Sequence, residues 1–126
     1  MDNAGNIYVT SGNVFSGSTF DFGNAVIHLS SELALLDWFA PENWQALDAG
    51  DIDLGSMGPS LLREGLIFQA GKEGVGYLLR ADNLGHIAGE IFSVSIGQGA
   101  YGGTAYAPPY IYVPRPTHKR PGCVEC

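Results

Sequence analysis

The sequence predicts an all-β protein made of short strands joined by tight turns. Glycine accounts for 18 of the 126 residues, and aromatic and β-branched residues recur in short runs. Most of these runs are closed by Gly, Asn or Asp. Short runs of this kind, bounded by turn residues, are typical of strands, and many of them in one chain indicate an all-β class.

The clearest unit is a hairpin of two apolar strands, Leu66–Ala70 and Val75–Ala81, joined by the turn Gly71–Gly74. We expect the glycines of this turn to supply the positive φ angles that a tight hairpin needs. A second turn, Asp82–Gly85, closes the second strand.

Partial copies of this hairpin recur along the chain. The spacings are 60 residues from Ile7 to Ile67, 51 from Val26 to Tyr77 and 44 from Ile67 to Ile111. A repeat of about 40–50 residues with four short strands is typical of β-propeller blades. We therefore predict a partial β-propeller of about two and a half four-stranded antiparallel blades.

The blades are expected at residues 1–40, 54–93 and 102–114. Two longer connections interrupt the strands: Val14–Gly23 is a loop, and Pro41–Asp53 has room for one helical turn that begins near Pro41. Strands are expected at Asn6–Ser11, Ala25–Ser30 and Leu35–Phe39 in the first blade, at Ser56–Leu62, Leu66–Ala70, Val75–Ala81 and Gly89–Ser93 in the second, and at Gly103–Ala107 and Tyr110–Pro114 in the third.

A blade buries its faces only against its neighbours, so a few blades alone cannot close a ring. We expect the chain to be a fragment whose partners are the remaining blades of a longer chain, or to self-associate if it is complete. Residues 115–126 break the β pattern, and we expect an irregular tail there. A frame shift in the gene is one explanation of that break.

Charge and hydropathy exclude several classes of function. The net charge is −7, and Arg115, Lys119 and Arg120 all lie in the tail, so the body lacks the basic face that nucleic-acid binding needs. This balance is compatible with metal binding or with plain solubility. No stretch is long and apolar enough for a membrane span, and no signal peptide is visible after Met1.

The repeat resembles the pyrroloquinoline-quinone (PQQ) type of β-propeller over about residues 2–114. The segment Asp2–Asn13 is similar to a blade opening of that family, and Phe22–Ser30 and Gly71–Leu79 are similar to its later strands. The resemblance implies a periplasmic or secreted protein. Active members are quinoprotein alcohol dehydrogenases, oxidoreductases that bind PQQ and calcium at the propeller axis.

Three positions resemble the functional motifs of those dehydrogenases. Gly12-Asn13 resembles a pair whose Asn ligates calcium, which implies Asn13 as a metal ligand. The spacing Asp48-x-x-Asp51-x-Asp53 resembles an acidic motif whose first residue is the catalytic base, which implies that role for Asp48. Lys72 resembles the lysine that hydrogen-bonds the quinone oxygens. Such a set would combine a general base, a hard cation and a cationic stabiliser of the reduced quinone.

The same motifs also depart from the family. Leu47 and Gly50 stand where the acidic motif carries aromatic and His residues, and Val14–Gly17 replaces the Pro-Trp-Asn that follows the calcium ligand. The sequence therefore favours a non-catalytic binding or scaffold propeller. The alternatives are a fragment of a PQQ- and calcium-dependent alcohol dehydrogenase and a propeller of outer-membrane assembly.

Each candidate also has an ordinary structural interpretation. Lys72 and Asn13 suit surface turns, and the three aspartates suit either a solvated loop or a cation site. The other polar and aromatic candidates favour structure over chemistry: His28 is expected to face solvent or a partner group, and Trp38 and Trp44 to pack. The three histidines (His28, His86 and His118) lack metal-ligand spacing, and the pair Cys123-x-x-Cys126 lacks a second half for a zinc site.

Overall fold

The structure is a computed structural model that describes residues 5–12, 20, 22–96, 99, 105–107, 110–113 and 122–123. Within these residues the chain forms eleven β-strands and one α-helix, and the strands are arranged in three sheets. The predicted all-β class is confirmed.

The first sheet is an antiparallel meander that a fourth, short strand completes at its outer edge. The meander lies where the first three strands were predicted, and a parallel strand from further along the chain pairs with the last of them. Its members in spatial order are β1 (Ile7–Thr10), β2 (Val26–Leu29), β3 (Leu35–Ala40) and β7 (His86–Ile87).

A short helical connection leads from the first sheet to the second. The helix α1 (Trp44–Ala49) confirms the helical turn predicted after Pro41, and a 3-10 turn follows at Leu54–Ser56. The apolar side of α1 is buried through Trp44 and Leu47. This connection therefore packs as part of the core.

The second and third sheets continue the same pattern. The second has four antiparallel strands in the order β4 (Ser60–Leu61), β5 (Leu66–Gln69), β6 (Val75–Arg80) and β8 (Phe92–Ser95). The third has three antiparallel strands in the order β11 (Gly122–Cys123), β10 (Tyr110–Val113) and β9 (Ala105–Ala107). The strand β11 lies within the tail 115–126.

The core lies between the sheets. Between the first and second sheets it consists of seven buried residues. A second cluster includes Phe68 and Met57 from the second sheet's side and Ile111 of β10, so the third sheet packs on the opposite face of the second. The seven residues of the first cluster are Val26, Phe39, Leu54, Ile67, Tyr77, Leu79 and Leu84.

The pairing registers correct the repeat by one residue. Ile7 pairs with Leu29, and Ile67 pairs with Leu79. When Ile7 is superposed on Ile67, Leu29 therefore falls on Leu79. Val26 then falls on Gly76, whereas the sequence spacing matched Val26 with Tyr77. The match between Val26 and Tyr77 was wrong because a shift of one residue moves a side chain to the other face of its sheet. Val26 and Tyr77 are both buried, but they belong to different sheets and meet across the core between them.

The turn between β5 and β6 uses its two glycines for different reasons. Gly74 has a φ of 81°, as the hairpin signal predicted. Gly71 does not have a positive φ; a Cβ there would lie 2.7 Å from the Leu54 Cα and 2.8 Å from the Asp53 carbonyl oxygen. Gly71 is therefore required by close backbone approach, not by its dihedral angles.

Two buried amide side chains hold the connection between the sheets at Leu54. Asn24 accepts a hydrogen bond from the Leu54 N–H at 2.7 Å. Gln69 donates to the Leu54 carbonyl at 3.1 Å and to the Met57 carbonyl at 2.8 Å, while Thr10 donates to the Gln69 Oε1 at 2.6 Å. Both amides are fully buried, so each side chain satisfies backbone groups that water cannot reach.

We predict that Gly71→Ala lowers the free energy of unfolding by about 1–3 kcal/mol, because the new methyl group overlaps the backbone at Leu54. Urea denaturation of the full chain measures this. Gly58→Ala is the matched control, since a Cβ at Gly58 meets nothing within 4 Å. Equal denaturation midpoints for the two variants would contradict the close approach.

Candidate functional site

Three segments meet where β1 and β5 end. They are Ser11–Gly12 after β1, the connection Asp53–Gly55, and the turn Gly71–Gly74. A Cβ on Gly12 would lie 3.0 Å from the Asp53 Oδ1, and a Cβ on Gly55 would lie 2.8 Å from the Ser11 carbonyl. Gly55 therefore lets the connection approach the backbone of Ser11, Gly71 lets the turn approach the backbone of Leu54, and Gly12 leaves room for the Asp53 carboxylate.

Asn13, the predicted metal ligand, lies outside the described residues. Its neighbour Gly12 is described and lies against Asp53. The structure thus brings the chain next to Asn13 close to one of the three predicted aspartates.

Lys72 is held by Asp53 in two ways. Its Nζ is 2.9 Å from the Asp53 Oδ2, and its backbone N–H donates to the Asp53 carbonyl at 3.0 Å. The two side chains are 33% and 28% exposed, so the ion pair lies at the boundary between core and solvent. The pair joins the β5–β6 turn to the connection between the sheets.

Asp48 is placed differently. It lies on α1 with 7% of its surface exposed, and its Oδ1 accepts a hydrogen bond of 2.7 Å from the Asn24 Nδ2. Asn24 has a φ of 51°, a left-handed conformation that Asn adopts more readily than most residues. The carboxylate of Asp48 therefore orients the amide that holds Leu54.

The three aspartates do not form one cluster with shared ligands. Asp48 bonds to Asn24, Asp53 pairs with Lys72, and Asp51 is exposed just after the helix. Among the residues that the structure describes, no group of three or more His, Cys, Asp or Glu side chains is arranged to hold a metal ion.

Next to the turn between β5 and β6 lies a hydrogen-bonded group of Tyr77, Glu73 and Asn43, which the sequence analysis did not predict. The Tyr77 hydroxyl donates to the Glu73 Oε1 at 3.2 Å, and the Asn43 Nδ2 donates to the other oxygen of Glu73. Burial, and then the negative charge of Glu73, raise the pKa of Tyr77 well above its usual value. These residues tie the helical connection to the second sheet.

The two described histidines and both tryptophans make ring contacts with neighbouring aromatic side chains. His28 has its Nε2 2.8 Å from the Asn6 Oδ1, which supplies the partner group expected for it. Trp44 is buried, and Trp38 stacks between Phe20 and His86, so both tryptophans pack as predicted. His118 and Cys126 lie outside the described residues, and Cys123 lies in β11.

Asn24, Gln69 and Asp37 are polar residues that the sequence did not reveal as structural centres. For Asn24 a signal existed, because Gly23-Asn24 is a turn pair directly before β2. Gln69 and Asp37 lie inside apolar strands, where only their tertiary partners show their role.

A scan against models of known protein families gave no match, and a comparison with curated proteins gave none either. None of the helices in the described part of the chain has the length and apolar character that crossing a membrane requires.

We predict that the protein loses stability above about pH 10 through Tyr77. Its folded-state pKa is raised, so the folded protein holds the phenolic proton more tightly than the unfolded chain does. The stabilisation is complete below the unfolded pKa and is lost as pH rises past it. Tyr77→Phe should lack this part of the alkaline slope in urea unfolding between pH 8 and pH 11, roughly the range around a free tyrosine.

The matched control is Tyr110→Phe, which removes an exposed tyrosine and should keep the wild-type slope because Tyr77 is untouched. A Tyr77→Phe slope equal to that of the wild type would contradict this role of burial.

Proposed function

We propose that this chain is a PQQ-like β-propeller module that serves as a non-catalytic binding or scaffold part of a larger extracytoplasmic protein. The observation that carries the proposal is that both faces of the second sheet are buried, one against the first sheet and the other against the third. Ile67 packs towards the first sheet, and Phe68 packs in the cluster that includes Ile111 of the third. Stacking of successive sheets through both faces is what consecutive propeller blades require.

We propose a non-catalytic function because the side chains that were candidates for catalysis bond to other residues of the protein. Asp48 is buried and orients Asn24, and the Lys72 ammonium is paired with Asp53. A general base must reach the proton that it removes, and a quinone-binding cation must reach the quinone oxygens. In this arrangement both groups already serve the connection between the sheets.

A second candidate function is a fragment of a PQQ- and calcium-dependent alcohol dehydrogenase. The observation in its favour is the convergence of Gly12, Asp53 and Lys72, because it brings together all three segments that resemble the dehydrogenase motifs. Bound PQQ would supply hydride-accepting chemistry. The described residues do not fit PQQ as they stand, since Asp48 accepts a hydrogen bond from Asn24 and Lys72 pairs with Asp53.

Addition of PQQ and CaCl₂ to the full chain, with ethanol and an artificial electron acceptor, tests the proposal. We expect no PQQ-dependent reduction of the acceptor. Reduction that Asp48→Asn abolishes would contradict the scaffold function and favour the dehydrogenase.

We also predict that Lys72→Met changes stability only slightly, by about 0–1 kcal/mol, because the ion pair with Asp53 is partly exposed. PQQ should shift the melting temperature of neither the wild type nor the variant. Arg80→Met is the matched control, since it removes the cation of an exposed pair with Asp82 that lies in another part of the second sheet. A PQQ-dependent rise in melting temperature that Lys72→Met removes and Arg80→Met keeps would make Lys72 a cofactor ligand.

A further inference from the structure

We propose that two copies of this chain associate head to tail, with the outer face of the first sheet of one copy packed on the outer face of the third sheet of the other. The outer face of each of these sheets is the face that points away from the second sheet. The two outer faces lie at opposite ends of the stack of three sheets. The inference rests on the proposed scaffold function, because it extends the stacking of sheets from one chain to a second.

The outer face of β1 is apolar and partly exposed. Tyr8 packs against the core between the first two sheets, and Thr10 donates a hydrogen bond to Gln69 of the second sheet. Since side chains alternate along a strand, Ile7 and Val9 point the other way. Val9 is 41% exposed and Ile7 is half-buried. The first sheet therefore has an apolar outer face that a partner can cover.

The equivalent face of the second sheet is buried within the protein. The registers place Ile7 and Leu29 of the first sheet where the second sheet has Ile67 and Leu79. Ile67 and Leu79 are fully buried in the core against the first sheet, whereas Ile7 and Leu29 are half-buried. The outer face of the first sheet is thus the kind of face that, in the second sheet, packs on another sheet.

Two glycines support this superposition of the sheets. Gly5 precedes Ile7 by two residues, as Gly65 precedes Ile67. Both glycines have a positive φ, 86° at Gly5 and 71° at Gly65. The strands β1 and β5 therefore begin after the same backbone conformation, which favours glycine at both places.

The third sheet presents the matching surface. Its strand β10 contains Ile111-Tyr112-Val113, the same three residues as Ile7-Tyr8-Val9 of β1. Ile111 is buried against the second sheet, so alternation directs Tyr110 and Tyr112 to the outer face. Tyr110 is 37% exposed, and the centroids of the two tyrosine rings are 6.4 Å apart.

Tyr8 shows how a tyrosine at this position packs on the next sheet. It lies against the core between the first two sheets, and its hydroxyl donates to the Ala81 carbonyl at 3.4 Å. In the superposition Tyr112 takes the position of Tyr8, and Ser31 takes that of Ala81. We therefore expect Tyr112 of one copy to pack on the face that contains Leu29 of the other, with its hydroxyl near the Ser31 carbonyl.

The charge distribution favours contact between unlike ends. The first 62 residues, which include β1, β2 and β3, contain no Lys or Arg. Three of the six Lys and Arg residues lie in the sequence between β10 and β11, which pair with each other in the third sheet. Two acidic first sheets would repel each other, whereas a first sheet and the basic segment of a third sheet attract.

Two copies give a ring of a size that propellers have. One chain supplies three sheets, and propellers have about four to eight blades. Two copies supply six sheets, whereas three copies exceed this range. In a ring of two copies each first sheet contacts the third sheet of the other copy, so both outer faces are buried.

Sedimentation velocity of the full chain over a range of protein concentrations tests the proposal. We expect the wild type to form a dimer and nothing larger. Val9→Glu and Tyr112→Glu each place a charge in one of the two outer faces, so each variant alone should stay monomeric where the wild type is dimeric. Leu61→Glu is the matched control and should dimerise like the wild type, since Leu61 is an exposed apolar residue of the second sheet.

A mixture of the two variants distinguishes unlike from like surfaces. In an equal mixture of Val9→Glu and Tyr112→Glu, each chain supplies the face that the other lacks. One of the two contacts is then intact, so we expect a dimer that is weaker than that of the wild type. Isotope-filtered NMR of this dimer should show the Tyr112 ring of the Val9→Glu chain against Leu29 of the other chain.

A wild type that stays monomeric at every concentration overturns the proposal. A dimer of either glutamate variant alone, as tight as the wild type, overturns it in favour of contact between like faces, and growth beyond a dimer contradicts the ring. Circular dichroism checks that the variants fold. If a glutamate variant unfolds, Val9→Thr and Tyr112→Thr, which suit strands, should each weaken the dimer. None of these readouts involves PQQ, so failure here is distinguishable from failure of the scaffold function.

Discussion

Leu54 is hydrogen-bonded at its N–H by a side chain that precedes the first sheet and at its C=O by a side chain of the second sheet. Asn24 comes from the loop that enters the first sheet, and Gln69 ends β5 of the second. An unsatisfied buried backbone group costs about 1–3 kcal/mol, so loss of either amide would remove the partner of a buried Leu54 group at a cost of that size. The connection between the sheets is therefore a structural centre, although it has little regular secondary structure of its own.

This constraint explains why the candidate chemical groups lie where they do. Asp48 orients Asn24, and Lys72 pairs with Asp53. Gly71 leaves room for the backbone of the connection, and Gly12 leaves room for the Asp53 side chain. The residues that resemble the dehydrogenase motifs are thus the same residues that hold the connection between the sheets. Polar residues in such positions can serve either structure or catalysis. Here the hydrogen bonds and the ion pair of Asp48 and Lys72 are made to other residues of the protein, which suits a scaffold function.

The strands and the helical turn could be predicted because their signals are local. Leu66–Ala70 and Val75–Ala81 are short apolar runs on either side of a glycine turn, and the structure has β5 and β6 there. The one-residue error in the repeat arose because Val26 and Tyr77 are both buried, and burial alone does not tell which face of a sheet a residue lies on. The parallel strand β7 could not be predicted, since His86 and Ile87 show no strand pattern and depend on Trp38 and Asp37 far away in sequence.

The most direct measurement of the coupling between the sheets is native-state hydrogen exchange of the Leu54 amide. If Asn24 and Gln69 hold this peptide as described, its N–H exchanges only when the first two sheets unfold together, with the same free energy as the amides of β5 and β6. Rapid exchange at Leu54 while β5 and β6 stay protected would show that the connection opens on its own. It would contradict the claim that Asn24 and Gln69 couple the first two sheets through Leu54.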